Sequence, residues 1–308
     1  MKTIDIIVPC YNEELCIKPL YDVVNTVMRQ EKEYRTSLLF IDDGSKDGTI
    51  RQIKQLEEKQ VKVKYVSFSR NFGKEAAIFA GLVNTTGDVV VLMDADLQHP
   101  PELIPKMLRA IEQGYDCCGA RRVDRKGEPL IRSMFSRGFY SVMKRATGLE
   151  MVQGGSDFRT MKRIVVDAVI AMPEKERFTK GILSWVGFDM KWLEYDNVER
   201  QYGETKWSFW GLLRYAMNGF FSFSTFPLRL AVYLGFFIDL VAVIYAIMTL
   251  ISTVTTDGPR TGYATIVLLL LFLGGTIILI LGIIGEYIAR LYYEVKNRPV
   301  YIIKEKKL

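Results

Sequence analysis

The sequence predicts an α/β domain with a mostly parallel sheet, followed by a C-terminal pair of membrane-spanning helices. Short apolar segments alternate with helical segments from residue 4 to residue 120, an order typical of a parallel sheet covered on both faces. The chain has 308 residues, 49% of them hydrophobic and 25% charged, which suffices for a full core. Residues 264–285 contain no charge over 22 positions, and about 20 apolar residues span a bilayer as a helix.

The acidic residues of the first domain fall where strands are expected to end. Asp42 and Asp43 follow the second expected strand, and Asp94 and Asp96 follow the fourth. In parallel sheets, ligands bind beyond the carboxyl ends of the strands. Asn12 is expected to cap the first helix. The strands are expected at 4–8, 38–41, 61–68, 88–93 and 116–120, and the helices at 13–32, 47–59, 74–84 and from Pro100 onward.

Residue counts and missing motifs exclude several function classes. His99 is the only histidine, so a multi-histidine metal site cannot form and a Ser-His-Asp triad would depend on it. Neither a G-x-G-x-x-G fingerprint nor a P-loop occurs. The net charge of +6 is attributed to anionic lipids and phosphorylated substrates, and no nucleic-acid partner is expected. Reduced core thiols of a cytosolic compartment are expected at Cys10, Cys16, Cys117 and Cys118.

The C-terminal part is interpreted as a helical hairpin that crosses the membrane twice. Residues 230–256 carry Asp239 as their only charge, and residues 256–262 form a turn signal. A pair of buried core helices is the alternative. Six lysines and arginines follow Glu286, whereas the hairpin loop has only Arg260. The large N-terminal domain and both termini are therefore expected on the cytoplasmic side of the cell membrane.

Four regions are expected along the chain. Residues 207–227 are aromatic-rich and are interpreted as a helix lying in the membrane interface, with a core helix as the alternative. Asp239 and three glycines of the second span are interpreted as packing contacts of a homo-oligomer. The regions are a large α/β domain at 1–206, the interfacial helix at 207–227, two membrane helices at 228–289 and a basic tail at 290–308.

The D-A-D triplet predicts a divalent metal site. If Asp94 and Asp96 extend the fourth strand, positions i and i+2 point the same way, and Gln98 adds an amide oxygen. Hard oxygen ligands suit Mg²⁺ or Mn²⁺, and such an ion would neutralise a diphosphate leaving group. A solvated acidic turn is the alternative. The neighbouring His99 is interpreted as a helix-entry residue rather than a ligand.

Four motifs together resemble the polyprenyl-phosphate glycosyltransferases, which include dolichol-phosphate mannose synthases and bacterial undecaprenyl-phosphate glucosyltransferases. They are PCYNE at 9–13, DDGS at 42–45, RNFGK at 70–74 and DADLQHPP at 94–101. The resemblance extends over nearly the whole chain, including the two C-terminal spans of the bacterial branch. It implies a GT-A fold, a nucleotide-sugar donor, Mg²⁺ or Mn²⁺, and a polyprenyl phosphate acceptor.

The resemblance also implies roles for individual residues. Asp43 would bind the uracil or ribose, and Asp96 and Asp157 would be the catalytic carboxylates. Asp157, in the run GGSDFR at 154–159, would act as a base, position the acceptor or stabilise charge on the sugar; a helix or turn cap is the alternative. The other expected groups are Pro9, Tyr11, Glu13, Lys74 and Asp94 for the nucleotide sugar, and Asp94, Asp96 and Gln98 for the metal. Arg121, Arg132, Ser136, Arg200 and Lys206 are expected to bind the acceptor phosphate.

The expected reaction is a single inverting displacement in which a lipid phosphate attacks the anomeric carbon of a UDP-sugar. Glucose is the first expectation, with N-acetylglucosamine, mannose and aminoarabinose-type sugars as alternatives. A processive polysaccharide synthase is a rival, although no Q-x-x-R-W element occurs in the chain. A membrane-anchored nucleotide-sugar-binding scaffold without turnover is a second rival.

Overall fold

A computed structural model describes residues 1–122, 145, 147–148, 152, 154–172, 174–196, 220–221, 223–255 and 262–308. The chain forms two compact units, one of Met1–Gly219 with Pro299–Leu308 and one of Phe220–Arg298. In the first unit, the strands are β1 Lys2–Cys10, β2 Tyr34–Asp42, β3 Lys62–Phe68, β4 Val89–Leu92, β5 Cys117–Arg122, β6 Gly155–Lys162, β7 Met190–Tyr195 and β8 Ile303–Lys307. The helices there are α1 Ile17–Met28, α2 Thr49–Lys54, α3 Lys74–Val83, α4 Ile104–Glu112, α5 Arg163–Ile170 and α6 Thr179–Trp185. Those of the second unit are α7 Phe226–Thr255 and α8 Tyr263–Val295.

The eight strands form one sheet in the order β7-β5-β6-β4-β1-β2-β3-β8. Strands β1 to β4 run parallel to one another, as the alternating pattern predicts. Strand β6 lies antiparallel between β4 and β5, and β7 is parallel to β5. Because β6 runs backwards, its first residues lie at the edge where β4 ends. This reversal brings the chemistry of two distant segments to one edge of the sheet.

The centre of the sheet is built from continuous apolar strands. Residues 4–10 of β1 are all buried, as expected for a strand covered on both faces. One of these buried residues, Asp5, is charged. Its carboxylate accepts hydrogen bonds from the Ser37 hydroxyl and the backbone N–H groups of Thr86 and Gly87 and pairs with Lys64. Burial acts to raise the pKa of Asp5, but these partners outweigh it and lower the pKa. The four cysteines are buried and unpaired, as expected.

Several local expectations are wrong. The first helix begins at Ile17, later than residue 13, and Asn12 does not cap it. Instead Asn12 has a φ of 53° and its side-chain oxygen accepts the Lys46 N–H at 2.8 Å. Asn12 is tolerated there because a short polar side chain can bond locally in the left-handed region. The strands β6 and β7 were not expected.

The C-terminal segment does more than form a basic tail. Helix α8 runs to Val295, after which β8 pairs antiparallel with β3. The Tyr301 ring stacks on Phe68 with centroids 4.9 Å apart, and Lys307 pairs with Glu58 at 2.6 Å. An unpaired edge strand exposes backbone donors and acceptors, so β8 satisfies the outer edge of β3.

The second unit contains two long apolar helices. Phe226–Thr249 has a mean hydropathy of 2.3 and Phe272–Val295 of 2.0, and both are long enough to cross a membrane. Only 12% and 0% of these windows are buried, which disagrees with the alternative of two buried core helices. The Tyr287 hydroxyl donates to the Ser224 carbonyl at 2.6 Å, joining the start of α7 to α8. The hairpin loop and most of the expected interfacial helix lie outside the described residues.

Candidate active site

The DDGS and RNFGK motifs meet at the edge where the parallel strands end. The Asp43 carboxylate accepts hydrogen bonds from the backbone N–H groups of Phe72, at 2.6 Å, and Gly73, at 2.9 Å. Gly44 has a φ of 66°, and a Cβ there would lie 2.4 Å from the Arg70 carbonyl carbon. The DDGS and RNFGK motifs therefore pack directly against each other. Together they place Lys74 at the first position of α3.

Asp43 is buried, with 3% exposure. Burial raises the pKa of Asp43 to about 6, although its two backbone hydrogen bonds act in the opposite direction. Each carboxylate oxygen can accept more than one hydrogen bond, so both oxygens keep hydrogen-bonding capacity beyond these two bonds. The predicted contact of Asp43 with uracil or ribose stays a prediction.

The PCYNE motif covers the end of β1 and the loop that follows it. Pro9 lies within β1, beside Ile41 of β2, and Tyr11 and Glu13 are half-buried beyond the strand. The Glu13 carboxylate accepts from the Cys16 thiol at 3.3 Å, and its backbone N–H donates to the Thr49 hydroxyl at 2.9 Å. These contacts fix the loop at the sheet edge. The nucleotide contacts expected of Pro9, Tyr11 and Glu13 stay predictions.

The D-A-D triplet forms a turn, so the expected strand extension is wrong. Strand β4 ends at Leu92, and the turn contains Leu97 at a φ of 57°. The Asp96 carboxylate accepts the Gln98 N–H at 3.2 Å, a local bond typical of aspartate in turns. The Asp94 carboxylate pairs with Lys74 Nζ at 2.7 Å. The acidic pair is thus presented by turn geometry rather than by strand alternation.

His99 supports this turn from the protein interior. It is 6% exposed, and its Nδ1 faces the Asp94 backbone N–H at 3.4 Å. The imidazole stacks on the Phe158 ring, with centroids 5.4 Å apart. Burial lowers the pKa of His99, although the Asp94 charge acts in the opposite direction. Its position before the short helix at Pro101–Leu103 agrees with the expected helix-entry role.

The acidic turn fits a divalent ion that is held jointly with a diphosphate. Within the described parts of the chain, no group of three or more His, Cys, Asp and Glu residues could hold a metal alone. Mg²⁺ characteristically uses one or two carboxylates together with substrate phosphates. Asp94 and Asp96 supply such carboxylates, with Gln98 beside them. The donor set therefore suits an ion that arrives with a nucleotide.

Asp157 joins the acidic turn through a shared lysine. Leu92 of β4 pairs with Arg159 of the antiparallel strand β6. Asp94 comes two residues after Leu92 and Asp157 two residues before Arg159, so both lie at the same edge of the sheet. Lys74 Nζ lies 2.7 Å from an Asp94 oxygen and 2.8 Å from Oδ2 of Asp157. Oδ1 of Asp157 faces Lys180 Nζ at 3.6 Å. Two carboxylates and two ammonium groups therefore form one chain of charges.

The cations keep this chain ionised. Burial acts to raise the pKa of Asp157, but the ammonium groups of Lys180 and Lys74 outweigh it and hold the pKa far below its usual range. Burial acts to lower the pKa of Lys74, but Asp157 and Asp94 outweigh it and raise that pKa well above its usual value. Asp157 does not cap a helix, since it lies within β6.

The structure describes only part of the expected acceptor side. Arg121 lies at the end of β5, where it pairs across the sheet with Gly155. Sequence reasoning missed Lys180, because no motif surrounds it, and also Arg159. Arg159 follows Asp157 by two positions on β6, so the two residues share a face of the sheet, but this spacing becomes a signal only once β6 is recognised as a strand. The expected acceptor residues Arg132, Ser136, Arg200 and Lys206 lie outside the described residues.

The fold and this site define a glycosyltransferase with a C-terminal helical hairpin. The chain belongs to glycosyl transferase family 2, whose model matches residues 5–170, and residues 226–291 match the GtrB C-terminal hairpin. This result confirms the family that the motifs predicted, together with its GT-A fold.

Curated relatives match the chain over almost its whole length. A putative glycosyltransferase, CsbB, from Bacillus subtilis is 46% identical over 98% of this chain and 91% of its own length. An uncharacterized glycosyltransferase from Synechocystis is 39% identical over 98% and 95%. The bactoprenol glucosyl transferase of Shigella phage SfX is 40% identical over 99% of both chains.

Proposed function

We propose that this enzyme transfers a sugar, with glucose as the first candidate, from a UDP-sugar to a polyprenyl phosphate at the cytoplasmic face of the membrane. The observation that carries the proposal is the bridge formed by Lys74 between Asp94 and Asp157. It joins the donor-side turn to the strand that begins on the acceptor side. The acceptor is proposed from the name of the relative from Shigella phage SfX and from the two apolar helices.

The residues of the chain bind and orient two anionic substrates. Asp94 and Asp96 would hold Mg²⁺ or Mn²⁺, which, when bound, neutralises the diphosphate that leaves as UDP. Lys74 places a further positive charge beside this leaving group. Catalysis is then mainly a matter of positioning and electrostatic stabilisation.

Asp157 acts in this proposal as an organiser of cations rather than as a general base. A phosphomonoester has a second pKa of about 6, so it is largely dianionic at neutral pH and already nucleophilic. One of its oxygens attacks the anomeric carbon, the bond to the diphosphate breaks on the opposite face, and the configuration inverts. No proton has to be removed from the acceptor, and Asp157 keeps Lys74 and Lys180 in place.

The hairpin gives the catalytic unit access to a lipid substrate. Two membrane crossings would hold both termini on the cytoplasmic side, which agrees with the basic residues after Glu286. An enzyme held at the membrane meets its lipid acceptor at a raised local concentration. Assembly into a homo-oligomer through Asp239 and the glycines of α8 is part of the same proposal. A Cβ on Gly275 or Gly282 would meet no atom within 4 Å, which leaves room for a neighbouring helix.

The test uses the purified full-length protein in detergent, with undecaprenyl phosphate, Mg²⁺ or Mn²⁺, and radiolabelled UDP- and GDP-sugars. We expect label from one UDP-sugar to enter the organic phase, and this transfer to stop with EDTA or in Asp96→Ala. Asp167→Ala, which changes an exposed aspartate of α5, is the matched control and should stay active. Label found only in insoluble polymer would indicate a synthase. Nucleotide binding without transfer would indicate the scaffold.

A further inference from the structure

The two ammonium groups beside Asp157 face different parts of the active site. Lys74 lies at Oδ2 and continues to Asp94, on the donor side. Lys180 lies at Oδ1 and also donates to the Gly155 carbonyl at 3.2 Å. Gly155 pairs across the sheet with Arg121. The carboxylate of Asp157 therefore separates a donor-side lysine from a lysine on the side of β5.

The fold holds Lys180 in this place. The Thr179 backbone N–H donates to the Glu75 carboxylate at 2.9 Å, and the Thr179 hydroxyl donates to the same oxygen. This contact ties the first residue of α6 to the first turn of α3, so the neighbouring lysines 74 and 180 approach Asp157 together. Arg177 adds to the junction with its guanidinium 4.1 Å from the centre of the Phe79 ring.

Three cations act on the Asp157 carboxylate. One carboxylate faces the ammonium groups of Lys74 and Lys180, and Arg159 lies two positions further along β6. Lys74 pairs with Asp94 as well as Asp157, whereas among the described residues Lys180 pairs with no carboxylate other than Asp157. An ammonium group has three donors, and two of those on Lys180 face Asp157 and Gly155. The Lys180 side chain is 28% exposed, so its remaining donor can reach a ligand.

We propose that Lys180 binds the phosphate group of the acceptor, with Asp157 orienting its ammonium group. The inference rests on the proposed function and assigns one further residue to it. A phosphate monoester supplies negative charge and acceptor oxygens for the remaining donor of Lys180. Each lysine then contacts one of the two anions of the reaction. Lys74 contacts the leaving diphosphate, and Lys180 contacts the attacking phosphate.

The experiment compares Lys180→Gln, Lys180→Arg and a matched control, Lys106→Gln, which changes an exposed lysine of α4. Initial rates are measured while undecaprenyl phosphate and the UDP-sugar are varied separately. A charge-assisted hydrogen bond to phosphate contributes enough to change affinity about 10- to 100-fold. We expect Lys180→Gln to raise the KM for undecaprenyl phosphate by that factor, with the KM for the UDP-sugar changed less than about threefold. Lys180→Arg should recover part of the loss because it keeps the charge.

Two results would overturn the assignment while the proposed function stands. The first is an active wild type in which Lys180→Gln and Lys106→Gln have the same KM for undecaprenyl phosphate. The second is a loss in Lys180→Gln that appears in the KM for the UDP-sugar instead. A wild type that transfers no sugar to undecaprenyl phosphate would overturn the proposed function itself. Equal thermal unfolding midpoints of the variants exclude misfolding as the cause.

Discussion

The two halves of the sheet contribute to the active site in opposite ways. In the half formed by β1 to β4, every strand runs toward the site, and the loop after each strand carries a motif. In the half formed by β5 to β7, strand β6, which lies beside β4, runs away from the site, so its first residues carry the chemistry. The comparison teaches that one reversed strand can place a carboxylate beside a turn more than sixty residues earlier in the chain, as it does for Asp157 and Asp94.

The largest effect should come from removing the lysine that joins the two halves. Lys74→Gln takes away the ammonium group between Asp94 and Asp157, and with it the charge that the proposed mechanism places beside the leaving diphosphate. Loss of one preorganised electrostatic contact costs about 100- to 1,000-fold in kcat, and we expect a loss of this size. The measurement is kcat at saturating concentrations of both substrates.

Lys62→Gln is the control for this prediction, since Lys62 is an exposed residue of β3. A double-mutant cycle with Asp157→Asn sharpens the comparison. If Lys74 works through Asp157, the two losses will be far from additive. A kcat within threefold of the wild type in Lys74→Gln would contradict the bridge between the halves.

The next-largest effect tests the half formed by β1 to β4 alone. Gly44→Ala should destabilise the protein, because Gly44 has a φ of 66° and a Cβ there would lie 2.4 Å from the Arg70 carbonyl carbon. Gly114→Ala is a matched control, with a φ of 112° and no atom within 4 Å of its Cβ position. Backbone strain costs about 1–3 kcal/mol in both variants, and the clash adds to it only in Gly44→Ala. Thermal unfolding in detergent measures the difference. Equal losses in the two variants would mean that the DDGS and RNFGK motifs do not pack closely at Gly44.

The sequence predicted the parallel half well and the other half poorly, for physical reasons. Buried parallel strands are continuous apolar runs, which are easy to recognise. Strand β6 instead begins with Gly155, Ser156 and Asp157, and β8 reads IKEKK, so both resemble polar loops. Their identity as strands depends on neighbours that are distant in the sequence. The reduced cysteines and the two long apolar helices were also predicted.

The candidate site was predicted through motifs, but not in its geometry. The spacing of Asp94 and Asp96 suggested strand alternation, whereas the chain turns after Leu92 and reaches a positive φ at Leu97. Local bonds such as the one from the Gln98 N–H decide this conformation. Lys180 was missed because its importance comes only from the approach of α6 to β6.

A third prediction concerns the pH dependence of stability in the parallel half. Burial raises the pKa of Asp43 to about 6, whereas an unfolded aspartate has a pKa of about 3.9. Between these values the folded state binds more protons than the unfolded state, so the contribution of Asp43 to stability falls as the pH rises from 4 to 6. The two pKa values differ by about 2, which corresponds to about 2–3 kcal/mol.

The comparison of wild type with Asp43→Asn isolates this contribution. The difference in unfolding free energy between the two proteins should change over pH 4 to 6 and become constant above pH 7. Asp116→Asn, immediately before β5, is the control for a partly exposed aspartate paired with Lys162. A difference that does not vary between pH 4 and 7 would mean that the Asp43 carboxylate is not perturbed by burial.

The smallest effect is expected at β8, the antiparallel strand at the outer edge of the sheet, in contrast to β6, the antiparallel strand inside the sheet. Strand β8 satisfies the edge of β3, and its ion pair between Lys307 and Glu58 is largely exposed, at 61% and 38%. Exposed ion pairs contribute about 0–1 kcal/mol and are screened by salt. Lys307→Ala should therefore change the unfolding free energy by less than about 1 kcal/mol.

Tyr301→Ala should cost more, since it removes the ring stacked on Phe68. Chemical denaturation at low and high salt distinguishes the two contacts, because only the ion pair depends on ionic strength. A larger loss in Lys307→Ala than in Tyr301→Ala would mean that charge rather than aromatic packing holds this edge of the sheet.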